Sequence, residues 1–263
     1  MKITLIISNN IFYRNYINHF VIDELKKISD LKIIGSNKVI HKKKKIDFTC
    51  NEIKTNKIIH KIIAGIRMFS NTHKSKSFKY RIKRRYMPKK IKSFEFRPIA
   101  KYFKIWIFFF LFKIFASNKF FSFLTEKFLR QFLKINHSLI NILNKIETDI
   151  ILMPTNGFNS FELDLEYTFN KHKINYTCLV DNWDNLSSKT ILLYEANHYG
   201  VWGEQSRRHA QTIQNIDYGK TTSIGTPRFE FYRNCKIKKL FDFKYILFVG
   251  TTVEFDEFSI LEK

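Results

Sequence analysis

Residues 149–185 have the sequence DIILMPTNGFNSFELDLEYTFNKHKINYTCLVDNWDN, and this stretch decides the fold class. Residues 149–154 and 176–180 are short apolar runs that are typical of buried strands, and the pattern between them predicts a helix over residues 161–171. Polar residues follow each strand directly, in tight turns. A strand, a helix and a second strand in this order predict a parallel βαβ unit.

The same alternation continues on both sides of this unit. Toward the C-terminus, we predict helices at residues 191–196 and 205–214 and strands at residues 199–202 and 222–224. Toward the N-terminus, the patterns predict strands at residues 2–8 and 31–34, helices at residues 16–25 and 54–69, and an amphipathic helix at residues 125–147. Together these elements predict a Rossmann-like, doubly wound parallel sheet in which ligands bind just after the strands.

The pattern also predicts how the chain is divided into domains. We expect a first domain over residues 1–234 with a basic and aromatic insertion at about 70–124, and a linker at residues 235–244. Residues 245–249 predict one more strand, and residues 254–261 predict the start of a helix. One strand and part of a helix cannot bury themselves. The chain is therefore expected to end just inside a second domain, which the resemblance described below implies to be Rossmann-like.

Composition excludes several classes of protein. The chain has 263 residues, of which 44% are hydrophobic, which is too many for a disordered protein. Its three cysteines, at positions 50, 178 and 235, are too few and too scattered for a disulfide framework or a zinc ribbon. No spacing of His, Cys and carboxylates matches a metal-ligand set, so no metal is expected.

The positive charge lies in the first part of the chain. The net charge is +23, but residues 1–150 hold 33 basic and 9 acidic residues, against 13 and 14 in the rest. The excess peaks at residues 74–104, with 13 basic residues and one acidic residue. Such a block predicts an anionic membrane surface or another polyanion as partner. Because Lys accounts for 35 of the 46 basic residues, as AT-rich codon usage produces, a merely solvated basic face is the alternative.

An apolar run, IWIFFFLFKIF, follows the basic block at residues 105–115. It is shorter than the roughly 20 apolar residues that a membrane-spanning helix needs. Aromatic residues beside a basic block suit a segment in the membrane interface, whereas a buried core helix rich in Phe is the alternative. We therefore expect residues 74–115 to face an anionic membrane. No nucleic-acid recognition module is present, so nucleic acid is not an expected partner.

Residues 181–189, DNWDNLSSK, are the part of the chain richest in chemistry. After a buried strand, Asp181 and Asp184 can act as general bases or orient a sugar hydroxyl, and Trp183 can stack on a sugar ring. Turn and helix-cap chemistry is the alternative explanation of this stretch. The candidate binding residues in this stretch and after the other strands are Thr155, Asn156, Asn182, Trp183, Asn185, Ser188, Lys189, Glu204 and Arg228.

Two further turns are candidates for phosphate binding. Arg228, in the turn GTPR at residues 225–228, can hold a phosphate with two hydrogen bonds, although a surface ion pair is equally compatible. Gly250, Thr251 and Thr252 follow a predicted strand and can offer backbone N–H groups and hydroxyls to a diphosphate. The turn at residues 8–10, SNN, has no glycine and does not predict a dinucleotide site.

These motifs resemble a known family. Residues 181–189 (DNWDNLSSK), 201–205 (VWGEQ), 224–230 (IGTPRFE) and 247–252 (LFVGTT) through Phe255-Asp256-Glu257 resemble bacterial surface-carbohydrate and capsular-polysaccharide biosynthesis proteins of the GT-B glycosyltransferase type. The resemblance covers residues 149–263. It implies an N-terminal domain that binds the acceptor and a C-terminal domain that binds a nucleotide-sugar donor, usually without a divalent metal.

The resemblance implies roles and partners for this chain. Asp181 or Asp184 would deprotonate the acceptor hydroxyl, Asn182, Asn185 and Lys189 would position acceptor or donor, and Gly250 to Thr252 would contact the donor diphosphate. The co-substrate would be a nucleotide sugar, and the acceptor a lipid-linked sugar or polysaccharide at the inner face of the cell membrane. The expected localisation is therefore cytoplasmic and peripheral to that membrane.

The chain departs from the family because almost all of the donor domain is absent. We expect a fragment, a half of a split enzyme whose donor domain is a separate chain, or the product of a decaying gene, and no sugar transfer by this chain alone. Two alternatives remain open. One is a nucleotide-sugar epimerase of the same fold, and the other is a non-catalytic protein that binds membranes or polyanions.

Overall fold

The computed structural model describes residues 1–17, 20–37, 39, 45–78, 118–229 and 243–244. The chain divides into two compact units, Met1–Arg228 and Phe229–Lys263, and the strands and helices labelled below belong to the first. Several predicted features lie outside the described residues: most of the basic block, the apolar run at residues 105–115, nearly all of the linker, the strand at residues 245–249, and Gly250, Thr251 and Thr252.

Seven parallel strands form one sheet, which confirms the predicted α/β fold of the Rossmann-like type. The strands are β1 (Lys2–Ile7), β2 (Asp30–Ser36), β3 (Phe48–Cys50), β4 (Ile150–Thr155), β5 (Thr177–Val180), β6 (His198–Val201) and β7 (Thr221–Ser223). Their order across the sheet is β3-β2-β1-β4-β5-β6-β7. The short edge strand β3 has no counterpart among the sequence predictions.

The order of the strands reverses at β1. Ile3 of β1 pairs with Leu31 of β2 on one side and with Ile150 of β4 on the other. The chain therefore builds outward from β1 to β3, returns to place β4 beside β1, and then builds in the opposite direction. Loops that follow β1 and β4 diverge at such a switch point, and they leave a crevice at the carboxyl ends of the strands.

The helices that flank the sheet are α1 (Asn10–Phe12), α2 (Phe20–Ile28), α3 (Lys54–Ser70), α4 (Lys119–Arg130), α5 (His137–Ile146), α6 (Ser160–His172) and α7 (Glu204–Thr212). α1 continues as a π-helical turn at Tyr13–Ile17. Asparagine side chains cap four of them, since Asn9, Asn118, Asn136 and Asn159 each accept hydrogen bonds from first-turn amides. The predicted helices at residues 54–69, 161–171 and 205–214 are confirmed as α3, α6 and α7.

Two predicted helices are wrong because tertiary hydrogen bonds occupy the backbone. Residues 125–147 form two helices rather than one. Between them, the buried Asn56 side chain donates to the Lys134 carbonyl and accepts from its amide. Residues 191–196 are not helical. Here Arg67 donates to the carbonyls of Leu192 and Leu193, and Arg130 donates to the latter.

Helix α6 lies at the centre of the molecule. Every residue from Phe161 to Phe169 is buried. Phe161, Leu165 and Phe169 pack in the core beneath the sheet, while Leu163 and Tyr167 pack in a second cluster with residues of α3. The acidic residues between them, at positions 162, 164 and 166, are therefore buried as well.

The middle carboxylate of α6 joins this helix to α3. Asp164 Oδ1 lies 3.0 Å from His60 Nε2, and both side chains are fully buried. Asp164 Oδ2 also accepts a hydrogen bond of 2.9 Å from the Ile53 amide, and the Tyr194 hydroxyl lies 3.3 Å from His60 Nδ1. Each polar atom of this pair thus has a partner, which burial requires.

We predict that Asp164→Ala lowers the free energy of unfolding by about 3–5 kcal/mol, because breaking a buried pair leaves His60 Nε2 and the Ile53 amide without a partner. Denaturant unfolding measures the change. The matched control is Glu24→Ala, which breaks the exposed pair between Glu24 and Lys27 and should cost about 0–1 kcal/mol. Equal losses in the two variants would contradict the prediction.

Candidate functional site

A buried carboxyl group joins the loops that follow β1 and β4. Glu162, in the first turn of α6, is fully buried. It accepts hydrogen bonds from the hydroxyls of Ser8 (2.5 Å) and Thr155 (2.8 Å) and from the Asn156 amide (3.1 Å). Ser8 follows β1 and Thr155 ends β4, so Glu162 fixes both sides of the switch-point crevice.

The charge state of Glu162 is sensitive to pH near neutrality. Burial raises the pKa of this carboxyl to about 7, although the hydrogen bonds from Ser8, Thr155 and the loop amides oppose the rise. Glu162 therefore loses its proton around neutral pH, whereas an exposed glutamate does so near pH 4.3.

Asp181 lies at the same edge of the sheet, directly after β5. One carboxyl oxygen accepts a 3.3 Å hydrogen bond from the side-chain amide nitrogen of Asn15, and the other lies 3.4 Å from Arg228 Nη2. Asp181 is buried, and this burial raises its pKa above the ordinary value even though Arg228 and Asn15 lower it. The Tyr16 phenol is close enough to Asp181 to be affected by its charge. Burial, and after it the charge of Asp181, raise the pKa of this phenol.

Arg228 and Trp202 together hold the backbone of Asp181. The Arg228 guanidinium donates to the Asp181 carbonyl (2.5 Å) and to the Asn182 side-chain oxygen. The Trp202 indole donates to the same carbonyl at 2.9 Å, and the guanidinium carbon lies 5.1 Å from the centre of the indole ring. The candidate residues Asp181, Asn182 and Arg228, which are distant in sequence, are thus brought together.

Asp184, the second predicted base, forms an ion pair with Lys189. Its carboxylate lies 2.7 Å from the Lys189 ammonium, at the two ends of the π-helical turn Asn185–Lys189. The Ser187 and Ser188 hydroxyls donate to the Asp184 carbonyl. Asp184, Ser188 and Lys189 therefore stabilise the turn, as the turn-and-cap alternative predicts for them. Trp183, by contrast, is 57% exposed.

Some buried polar atoms near the crevice have no hydrogen-bond partner among the described residues. They are the side-chain oxygen of Asn156, both side-chain amide atoms of Asn185, and Nε of Arg228. The loops that carry the two asparagines are in contact, because the Thr190 hydroxyl donates to the Gly157 carbonyl at 2.6 Å. Buried polar groups are nearly always paired, so atoms of this kind are available to a bound polar ligand.

Glu204 belongs to a different cluster, at the start of α7. Its carboxylate accepts a 2.8 Å hydrogen bond from the Tyr218 hydroxyl and lies 3.4 Å from Arg207 and 3.6 Å from Arg208. The hydrogen bond from Tyr218 lowers the pKa of Glu204. This exposed cluster joins α7 to the turn before β7.

Sequence reasoning missed Ser8, Asn15, Glu162 and Trp202. The signal for Glu162 was present in residues 161–169, FELDLEYTF, where acidic and apolar residues alternate. In a helix this alternation puts carboxyl groups on every side, so some must be buried. Ser8 and Asn15 carried no such signal, because their partners are 154 and 166 residues away in sequence.

Neither metals nor membrane spans are indicated in the described part of the chain. No group of three or more His, Cys, Asp and Glu residues there could hold a metal ion. Within the same residues, no helix combines the length and apolar character needed to cross a bilayer.

Comparison with known proteins does not assign the chain to a family. No family model matches the sequence, and no curated protein matches it.

The raised pKa of Glu162 predicts how stability depends on pH. Between about pH 4.5 and 7 the folded state holds a proton on Glu162 that the unfolded state has lost. The stability from this proton is complete below the unfolded pKa and is lost as the pH rises through the folded pKa. From about pH 5 to 8, the unchanged chain should lose about 2–3 kcal/mol relative to Glu162→Gln.

Denaturant unfolding of both proteins across this range measures the difference. Glu24→Gln, at an exposed carboxylate, is the matched control and should keep the pH dependence of the unchanged chain. Parallel curves for the unchanged chain and Glu162→Gln would contradict the prediction.

Proposed function

We propose that this chain is the acceptor-side part of a glycosyltransferase that uses a nucleotide-sugar donor in surface-polysaccharide biosynthesis, such as that of capsule, O-antigen or lipopolysaccharide. The observation that carries the proposal is the buried Asp181 carboxyl, which lies after β5 between Asn15 and Arg228. It supports the proposal because an acceptor domain needs a base at the ligand-binding edge of its sheet.

Asp181 has the properties of a general base. A carboxylate with a raised pKa takes up a proton more readily than an exposed aspartate does. In the proposed reaction, the acceptor hydroxyl transfers its proton to Asp181 while its oxygen forms a bond to the anomeric carbon of the donor. The bond between that carbon and the diphosphate breaks, and the nucleoside diphosphate leaves with the electron pair.

The remaining residues of the crevice suit a sugar acceptor. Asn156 and Asn185 offer amide atoms that lack partners among the described residues, and sugar hydroxyls both donate and accept hydrogen bonds. The exposed indole of Trp183 offers an apolar face on which a sugar ring can stack. Arg228 holds the Asp181 carbonyl and the Asn182 side chain, and its Nε atom, which lacks a partner among the described residues, can contact the substrate.

The donor side would come from a second domain. Under the proposal, Gly250, Thr251 and Thr252 contact the donor diphosphate.

We predict that Asp181→Asn lowers transfer by about 10²–10⁴-fold, because the amide cannot accept the proton of the hydroxyl. The assay uses the protein purified from its own cells with every chain that copurifies, and it measures nucleoside diphosphate release from a panel of nucleotide sugars with lipid-linked acceptors.

Asp184→Asn is the matched control, an identical substitution three residues away at a carboxylate that pairs with Lys189. It should reduce transfer by less than about tenfold, with both variants keeping the unfolding midpoint of the unchanged protein. Full activity of Asp181→Asn would refute the role of Asp181 as base. Turnover of a nucleotide sugar without any acceptor would indicate an epimerase instead.

A further inference from the structure

Helix α4 exposes most of its apolar residues, although Leu129 packs against residues of α3. Phe120, Phe123, Leu124 and Phe128 are between 43% and 63% exposed, and Phe132, just after the helix, is 54% exposed. Spacings of three, four and eight residues put them on one side of the helix. Exposed apolar patches of this kind mark sites that bind proteins or membranes.

The opposite, polar side of α4 faces the body of the protein. Ser122 and Glu126 are the buried residues of this helix. The Glu126 carboxylate accepts two hydrogen bonds from the Arg67 guanidinium of α3, at 2.6 and 2.7 Å, and one of 2.8 Å from Arg130. Since both arginines also bond to the Leu193 carbonyl, charged groups fix the helix in place. α4 is thus an amphipathic helix with its apolar side turned outward.

Two basic cavities border α4, one along its N-terminal half and one at its C-terminal end. The larger one, of about 1050 Å³, is lined in part by five basic residues: Lys127, Arg130, Lys134, His137 and Lys171. The smaller one, of about 450 Å³, is lined in part by Arg67, His73, Lys74 and Lys119. The two acidic residues in these linings, Glu195 and Glu126, are already paired with Lys220 and with the arginines.

We propose that α4 docks this protein on the surface of an anionic phospholipid bilayer. The phenylalanine side chains of α4 enter the interface between headgroups and acyl chains, and lipid phosphates occupy the basic cavities beside the helix. Of residues 74–115, where the sequence alone predicts membrane contact, only Lys74 belongs to this surface. Binding of α4 to a bilayer does not depend on transferase activity.

Charge favours a bilayer over a second copy of this chain. Residues 1–150 carry a net charge of +24, from 33 basic and 9 acidic residues, and α4 lies within them. Two copies meeting through α4 would bring like charges together, whereas the cytoplasmic leaflet is negatively charged and attracts clusters of lysine and arginine. Phenylalanine rimmed by basic residues is also the composition of helices that lie in a membrane interface.

The test is cosedimentation of the full-length chain with phosphatidylcholine vesicles, with and without about 30 mol% phosphatidylglycerol. We expect binding to the anionic vesicles that weakens as salt is raised. The triple variant Phe120→Ser/Phe123→Ser/Phe128→Ser should bind them about tenfold or more weakly. Subtracting the fluorescence of the unchanged chain from that of Phe123→Trp gives the emission of the introduced tryptophan. This emission should shift to shorter wavelengths when anionic vesicles are added.

The matched control is Phe20→Ser/Ile28→Ser on α2, which removes exposed apolar side chains elsewhere and should leave vesicle binding unchanged. Unfolding midpoints equal to that of the unchanged chain establish that the variants are folded.

Three results would overturn the proposal. The first is equal binding of the triple variant and the unchanged chain, which would assign the contact to other residues. The second is binding that is independent of lipid charge and salt. The third is that the unchanged chain does not bind vesicles but forms a dimer, and that the triple variant is monomeric. A second copy of the chain would then be the partner that covers the apolar side of α4.

Discussion

The burial of three carboxyl groups on one helix is the constraint on which this structure depends. α6 is covered on all sides along most of its length, so Glu162, Asp164 and Glu166 cannot reach water. A buried carboxyl group needs hydrogen-bond donors or must stay protonated. Glu162 takes donors from the crevice loops, and Asp164 takes them from α3 and the segment before it. Burial, and after it the charge of Glu162, raise the pKa of Glu166 well above its ordinary value, which favours the protonated form.

The same constraint makes the crevice a continuous, rigid edge. Glu162 joins the loops after β1 and β4, Thr190 joins the loop after β4 to the one after β5, and Arg228 joins the turn after β7 to Asp181. Each link crosses between elements that are distant in sequence. If a polar ligand binds at this edge, as we propose, these hydrogen bonds form its site before it arrives.

Local sequence patterns correctly predicted strands and helices that bury one face or all of their surface. They failed where hydrogen bonds between residues distant in sequence determine the backbone conformation. The apolar runs predicted the sheet, and the polar residues after strands predicted that Asp181 and Arg228 lie at its ligand-binding edge. The predicted helix at residues 191–196 is wrong because carbonyls of this segment accept hydrogen bonds from arginines of two other helices. The contact between Ser8 and Glu162 spans 154 residues, and only the strand order brings the two together.

Helix α4 shows the limit of hydrophobic periodicity in another way. Its pattern identifies an amphipathic helix but does not say which side faces the core, because the Arg67–Glu126–Arg130 cluster decides that orientation. Fully burying a phenylalanine side chain stabilises a protein by about 1.5–3 kcal/mol, so a helix that exposes several of them forgoes that stabilisation. An apolar partner would remove these exposed side chains from water, and a bilayer of opposite charge meets both the apolar and the basic requirements of this surface.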